Sequence, residues 1–393
     1  MSESASNDPS RAPSPSGARL DSLQALRALA ALAVVFHHAG RAVTVNRPAG
    51  LPEEGLLLVP SARLVEVGSI GVDLFFILSG FLMIHISGKY RSGERSIGDF
   101  LAQRMIRIWP LYGLVTLFVC LPLVRSALIG GSLPFDFQPA RLASLLFVPS
   151  FNEKGLLLPI LAVGWTLNYE MLFYLCFAFS LLLARRHLLI PLSALIGSLF
   201  LIGQVAPAGA LAAFLDNGII FEFLLGTLLA EANAAGRLPR LNPAIWLVAS
   251  LLVLLFTVQF ETGVLPRALA FGLPAALFLT GMVSLERSVT WPRLAILLGN
   301  ASYSIYLVHL TVIYQISRPA FRALAGSAAA EFAVPVVALA AMLGSVSIGL
   351  LCFRCIETPL LRSCHSAYRS IAGRRSRSPA AELARTASST AEA

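Results

Sequence analysis

Residues 26–40 read LRALAALAVVFHHAG. The run is apolar enough to lie in a bilayer, yet it carries Arg27 near its start and His37 and His38 near its end. Ionisable side chains are costly in hydrocarbon, so those that occur there are usually functional. This stretch therefore predicts a membrane helix with a cation near one end and an imidazole pair near the other.

The composition of the whole chain predicts the same environment. Of its 393 residues, 56% are hydrophobic and 13% are charged, whereas a soluble domain carries about 25% charged residues. A membrane span needs about 20 mostly apolar residues. Ten segments meet this requirement: 23–42, 67–87, 108–128, 165–184, 188–206, 217–235, 242–259, 265–285, 294–316 and 332–354. The sequence thus predicts an all-α, polytopic membrane protein whose transmembrane domain covers residues 19–358.

The charges between these segments predict how the chain is oriented. With the N-terminus inside, 20 Lys and Arg residues fall in cytoplasmic segments and 9 in outer segments, which favours cytoplasmic placement of both termini. The tails at 1–18 and 365–393 are rich in small and polar residues and are predicted to be disordered. Because the net charge of +9 lies mainly in loops and tails, a nucleic-acid partner is not expected.

The five cysteines predict no metal or redox centre. The pair in CFRC (352–355) has CxxC spacing, but it ends an apolar run and has no βαβ context. Packing within the membrane is the favoured role, because free cysteine behaves as a small apolar residue.

One set of ionisable residues is predicted to lie in the outer third of the bilayer. At about 1.5 Å of rise per residue, five ionisable residues on five different spans lie at nearly the same depth: His38, Asp73, Glu170, Glu222 and His309. A histidine can remove a proton from a hydroxyl, and a carboxylate can orient that histidine. His38, Asp73 and Glu170 are the candidate catalytic residues. The alternatives are interhelical hydrogen bonds for the histidines and helix-start charges for the acids.

A second set lies near the cytoplasmic edge. Arg27 is about 6 Å deep, and the spacing of Arg104 and Arg107 in QRMIRIWP puts both guanidinium groups on one helix face. Because the planar fork of arginine matches phosphate oxygens, the three arginines predict a site for a phosphate-bearing ligand. The alternative is that they are inner-edge anchors that snorkel.

Five stretches resemble, in order and spacing, the signatures of one family: LQALRALAALAVVFHHAG, GSIGVDLFFILSGFLM, RMIRIWPLY, VGWTLNYEMLFYL and LLGNASYSIYLVHL. Together they are similar to the acyltransferase 3 family of bacterial membrane proteins over residues 20–355. The resemblance adds Trp165, Tyr303 and His309 as secondary candidates, and His37 as an alternative to His38. The chain departs from many members at Met171, where a second acid is common.

The resemblance implies transfer of an acyl group, often acetyl, from cytoplasmic acyl-CoA to a hydroxyl of a surface or exported carbohydrate. His38 would be the general base, and Arg27, Arg104 and Arg107 would bind the donor. The partners would be the lipid bilayer, acyl-CoA and a carbohydrate acceptor, either free or lipid-linked, in the bacterial inner membrane. No permanently bound cofactor or metal is implied. The single-domain form is more similar to the exopolysaccharide-modifying branch.

Two other classes remain open from the residues alone. A transporter or flippase for a lipid-linked saccharide would use the buried acids as a proton relay or substrate site. Such proteins often show internal repeats, and none is obvious in this chain. A membrane glycosyltransferase would commonly carry paired acids for a metal, but the sequence has no Asp-x-Asp.

Overall fold

The computed structural model describes residues 20–46, 61–130, 139–260, 266–286, 288–324, 327 and 330–376. Within these ranges all regular secondary structure is helical, and the one strand pairing is an isolated β-bridge between Phe151 and Leu157. The predicted disordered tail at 1–18 lies outside the described residues, as do residues 377–393 of the predicted C-terminal tail.

The helices follow the predicted pattern with a few differences at their ends. In chain order they are α1 (Asp21–Asn46), α2 (Ala62–Val67), α3 (Ile70–Ile86), α4 (Gly88–Arg91), α5 (Ile97–Gly130), α6 (Pro139–Leu142), α7 (Trp165–Leu183), α8 (Leu189–Val205), α9 (Ala210–Leu215), α10 (Ile220–Ala234), α11 (Pro243–Thr257), α12 (Leu273–Ser284), α13 (Arg293–Leu324), α14 (Ala330–Cys352) and α15 (Thr358–Ser376). Two π-helical segments, Ala268–Gly272 and Phe353–Glu357, lead directly into α12 and α15.

Seven helical segments in the described residues are long and apolar enough to cross a membrane: Asp21–Val45, Ala62–Ile86, Ile97–Pro122, Ala162–Leu183, Ala210–Ala234, Arg293–Leu324 and Phe332–Ala372. Three shorter apolar helices, Leu189–Val205, Pro243–Thr257 and Ala268–Ser284, coincide with the remaining predicted spans. The all-helical, multi-pass prediction is confirmed. The count of ten spans and the cytoplasmic position of the termini stay predictions.

Glycines allow the central helices to approach closely. A Cβ atom at Gly299 of α13 would overlap the carbonyl oxygen of Gln24 on α1, and one at Gly226 of α10 would overlap that of Ile77 on α3. Small residues at such crossings are typical of helix packing in membranes. These contacts fix α1 against α13 and α3 against α10, which are the helices that carry most of the predicted site.

Between α6 and α7 the chain is mostly irregular, with short 3₁₀ turns at Ala143–Leu146 and Ala162–Gly164, and its last residues enter the interior of the protein. Arg141 is buried at 3% exposure and donates hydrogen bonds to Ser150 Oγ (3.2 Å) and to the carbonyl oxygen of Leu158. Gly164, at the end of this segment, packs against the ring of Tyr112 of α5. Irregular backbone at membrane depth is tolerated only where protein groups satisfy it. As a result, α7 begins inside the helix bundle.

α5 and α15 are longer than the sequence predicts, and both extend on the side of the bundle where α1 begins. α5 begins at Ile97, eleven residues before the predicted start of its span at 108, so Arg104 and Arg107 lie within the helix, as their spacing predicts. The predicted disordered tail from residue 365 is helical as far as Ser376. α15 packs against α5, and this tertiary contact supports a polar helix that composition alone does not predict.

Candidate active site

Residues from all five sequence motifs meet at one cavity of about 130 Å³. Water needs about 10–15 Å³ on this scale, so the space admits several waters or a thin ligand chain. α1, α3, α5, α7 and α13 form its walls. Its polar lining consists of Arg27, Ser79, Arg104, Arg107, Thr166, Glu170, Tyr174, Ser302, Tyr303 and Tyr306.

The three predicted arginines lie together in this cavity. Arg27 Nε donates to Ser302 Oγ at 3.1 Å. The guanidinium of Arg104 lies over the ring of Tyr174 at 5.9 Å, and its buried Nε has no hydrogen-bond partner among the described residues. Because a buried donor without a partner is costly, the cavity favours a ligand that accepts hydrogen bonds.

Arg107 is held by an acid that sequence analysis did not single out. Glu357 ends the π-helical segment before α15 and is 1% exposed. It accepts hydrogen bonds from Arg107 Nη1 and from Ser304 Oγ, the latter at 2.6 Å. The guanidinium of Arg107 also lies over the ring of Tyr303 at 5.2 Å. The only sequence signal for Glu357 is its position directly after the last apolar run, in CIETP.

Glu170 belongs with the arginines and not with the outer histidines. It accepts hydrogen bonds from Ser79 Oγ (3.1 Å) and from the hydroxyl of Tyr174, and it shares the cavity with Arg104 and Arg107. Its predicted place in the outer layer is therefore wrong. The cause is that α7, although it begins at the predicted residue Trp165, begins inside the helix bundle, which the hydropathy pattern does not show.

His38 of α1 and His309 of α13 form a pair. His309 Nε2 lies 3.3 Å from His38 Nδ1, and the ring centroids are 4.9 Å apart. His309 is fully buried and its Nδ1 lies 2.6 Å from the carbonyl oxygen of Tyr306. His38 Nδ1 also lies 3.0 Å from the carbonyl oxygen of Val34. The two histidines predicted at one depth are thus in direct contact.

This network assigns the protons of the two rings. A carbonyl oxygen only accepts, so His309 must donate from Nδ1, and its neutral ring then accepts at Nε2. His38 must also donate from Nδ1, which faces the oxygen of Val34 and Nε2 of His309. The lone pair of His38 is therefore on Nε2, where it is available as a base.

His37 makes its polar contacts with α2. Its Nδ1 lies 2.9 Å from the carbonyl oxygen of Val65 in α2 and 3.9 Å from a carboxylate oxygen of Glu66. Its ring meets that of His38 edge to face, with centroids 5.0 Å apart. His37 therefore links α1 to α2, and of the two adjacent histidines only His38 contacts His309 among the described residues.

Asp73 pairs with an arginine and not with His38. Arg267 Nε and Nη2 donate to its two carboxylate oxygens at 3.0 and 2.7 Å, and Nη2 also donates to the carbonyl oxygen of Ser69 at 3.3 Å. Asp73 is fully buried, and Glu222 interacts electrostatically with both partners. Asp73 therefore binds Arg267 and does not orient His38 in this structure. Arg267 was not predicted as this partner because it was counted among the outer-segment charges, although it lies near the start of the predicted span 265–285.

Of the secondary candidates, Tyr303 lines the cavity and donates from its hydroxyl to the carbonyl oxygen of Ile108 at 2.7 Å. Trp165 packs edge to face on Phe76, with centroids 6.3 Å apart, and is not among the described lining residues. Phe75 and Tyr306 also line the cavity, and their rings meet edge to face with centroids 5.8 Å apart. The ring of Tyr306 lies 5.7 Å from that of His309, so Tyr306 lies between the cavity and the histidine pair.

Comparison with known proteins identifies the class. A family model described as an acyltransferase domain matches residues 20–354, so the chain belongs to this family, and it is a multi-pass membrane acyltransferase. It is 36% identical over 304 residues to the exopolysaccharide production protein ExoZ of Rhizobium meliloti (strain 1021), a match that covers 75% of this chain and 90% of that protein. It is 28% identical over 333 residues to the acyltransferase MdmB of Streptomyces mycarofaciens, covering 75% and 79%. No solved structure matches the chain.

Proposed function

We propose that the protein transfers an acyl group, acetyl in the simplest case, from cytoplasmic acyl-CoA to a hydroxyl of an exported carbohydrate. The observation that carries this proposal is the cationic cavity, where the five motifs meet beside the His38–His309 pair. The similarity to a protein named for exopolysaccharide production supports a polysaccharide, or its lipid-linked precursor, as the acceptor. The enzyme would act in the bacterial plasma membrane with both termini in the cytoplasm.

The charges of the cavity favour an anionic donor. Arg27, Arg104 and Arg107 face two carboxylates, those of Glu170 and Glu357, which leaves one positive charge in excess. Arginine binds phosphate oxygens through paired, charge-assisted hydrogen bonds. The pyrophosphate of CoA would therefore lie at these arginines, with Arg104 Nε among its donors.

The spacing along α1 matches the reach of the donor. Arg27 and His38 are eleven residues apart, which is about three helical turns, so they lie on one face and about 16 Å apart along the axis. The pantetheine arm has roughly twelve bonds between phosphate oxygen and sulfur, or about 14 Å at the extended rise of about 1.2 Å per bond. A phosphate at the arginines thus brings the thioester close to His38, provided that Phe75 and Tyr306 turn aside.

His38 would then act as the general base. Its Nε2 takes the proton of the acceptor hydroxyl while that oxygen attacks the thioester carbonyl carbon. The carbon–sulfur bond breaks, and the CoA thiolate recovers the proton from His38, so the products are the ester and free CoA. His309 would hold the His38 ring in the required orientation. In this scheme Asp73 has a structural role with Arg267.

The test uses inverted membrane vesicles that contain the full-length protein. Radiolabelled acetyl-CoA is added outside, with an extract of exopolysaccharide and lipid-linked oligosaccharide as acceptor. We expect label in the saccharide fraction, loss of that label in His38→Ala, and retention of it in the matched variant His37→Ala. Full activity in His38→Ala contradicts the assignment of the base. Transport of the saccharide without labelling supports the flippase alternative.

A further inference from the structure

A groove lies between α5 and α15. One wall carries Arg95 and Ser96 just before α5 and Asp99 and Gln103 within it, and the other carries His365, Tyr368, Arg369 and Ala372 of α15. The spacings i, i+3 and i+7 on each helix place these residues on single facing sides. The groove has a volume of about 590 Å³, within the range of roughly 300–1,000 Å³ that is usual for small-molecule sites.

The two walls meet at the cavity. Gln103 precedes Arg107 by one helical turn, about 6 Å, and Arg107 both lines the cavity and binds Glu357. Glu357 directly precedes α15 and stands about 12 Å from His365 along the helix. The Arg107–Glu357 ion pair is therefore the point from which α5 and α15 diverge. The groove therefore begins about one helical turn beyond Arg107, on the side where the rest of a ligand bound at Arg107 would extend.

The chemistry of the groove suits one end of such a ligand. Arg95 and Arg369 supply two cations, His365 can add a third, and Asp99 supplies one negative charge. Asp99 accepts a hydrogen bond from Arg95 Nη1 at 3.4 Å and so holds it along the α5 wall of the groove. Tyr368 lies between His365 and Arg369 in sequence and lines the same groove. Cations around an aromatic ring are a combination that binds a phosphorylated nucleoside.

We propose that the α5–α15 groove binds the adenosine 3′-phosphate end of acyl-CoA. This inference rests on the proposed function, since it extends the same donor beyond the cavity. The position of the groove one helical turn from Arg107 favours this occupant over a lipid headgroup, because the nucleotide end of a donor bound at Arg107 would reach it. The groove would distinguish CoA from donors that lack the nucleotide, while the cavity arginines would bind the phosphates common to CoA and its 3′-dephospho form.

The experiment compares three donors with the full-length protein in phosphatidylcholine vesicles: acetyl-CoA, acetyl-3′-dephospho-CoA and acetyl-pantetheine. In the double variant Arg95→Ala, Arg369→Ala, we expect the KM for acetyl-CoA to rise about tenfold, which is the loss of about one charged hydrogen bond. The kcat should not change. The KM for acetyl-pantetheine should also stay constant, because that donor does not reach the groove. Arg240→Ala, an exposed arginine outside both sites, is the matched control and should behave as wild type.

Three results would overturn the inference. One is an unchanged KM for acetyl-CoA. Another is an equal rise for all three donors, which would indicate a general structural effect. The third is an effect that appears only when phosphatidylglycerol is added to the vesicles, which would identify a lipid-headgroup site. If wild type uses none of the donors, the proposed function fails, and equilibrium dialysis with adenosine 3′,5′-bisphosphate decides the groove separately: binding lost in the double variant supports it, and no binding to wild type refutes it.

Discussion

Replacing His309 with phenylalanine tests whether the second imidazole acts through the first. His309 is fully buried and contacts His38 Nδ1, while its own Nδ1 is bound to the carbonyl oxygen of Tyr306. In the proposed mechanism it touches neither substrate, so it is a positioning residue. Phenylalanine keeps a ring of similar volume and removes both hydrogen bonds, which isolates the polar contribution.

The geometry sets the size of the expected effect. The contact between the two histidines is long, at 3.3 Å, and His38 Nδ1 keeps the carbonyl oxygen of Val34 at 3.0 Å when His309 is removed. The correct tautomer of His38 therefore survives. The loss is that of one neutral hydrogen bond, about 0.5–1.5 kcal/mol, which corresponds to a two- to thirteenfold fall in kcat, roughly. Loss of the base itself, in His38→Ala, should cost about 10²- to 10⁴-fold.

The assay is the steady-state rate of acyl transfer with His309→Phe, His38→Ala and the double variant, each checked for folding by thermal unfolding in detergent. The KM for acyl-CoA should stay constant in His309→Phe, because the donor phosphates bind elsewhere. The double variant should be no slower than His38→Ala alone, since a residue that acts through another has nothing left to position. A further drop in the double variant, or a hundredfold loss in His309→Phe, would show that His309 takes part in the chemistry and would refute the reasoning.

Three other variants test the remaining parts of the site. Arg104→Ala combined with Arg107→Ala should raise the KM for acyl-CoA at least about tenfold; an unchanged KM and kcat would leave these arginines as membrane anchors. Arg267→Ala leaves the fully buried Asp73 without its partner, and breaking a buried ion pair costs about 3–5 kcal/mol. Because the Arg267 side chain is 33% exposed, we expect the lower end of that range, measured as a fall in Tm, and an unchanged Tm would contradict it. Gly226→Ala puts a Cβ into the backbone of α3 and should abolish the monodisperse folded protein in size-exclusion chromatography, whereas a normal yield would show that α3 and α10 can separate.

The sequence predicts those features that depend on spacing within one helix. Hydropathy places the apolar helices, and the periodicity of α1 places Arg27 and His38 on one face. The spacing of Arg104 and Arg107 likewise survives in the structure, where both line one cavity. In each case the relevant distance is set by the helical rise alone, so no knowledge of the tertiary structure is needed.

Partners across the bundle could not be predicted in this way. Asp73 was expected to orient His38, but its partner is Arg267, 194 positions later in the chain. The depth of Glu170 depends on the irregular segment between α6 and α7, which Arg141 binds through Ser150 and Leu158, and hydropathy averages over such a segment. Both errors arise because depth and pairing are set by packing between elements, which a single sequence without its folded structure does not specify.

One helix pair supports both ends of the proposed reaction path. Arg27 contacts Ser302 and His38 contacts His309, so α1 and α13 hold the donor arginine and the base together. From the first contact to the second, the residue numbers increase on both helices, so α1 and α13 run parallel. The close approach at Gly299 leaves no room for sliding of one helix past the other. A base must keep its geometry within about half an ångström to be effective, and this rigid pair would allow His38 to do so while the cavity-wall residues Phe75 and Tyr306 turn aside for the proposed donor.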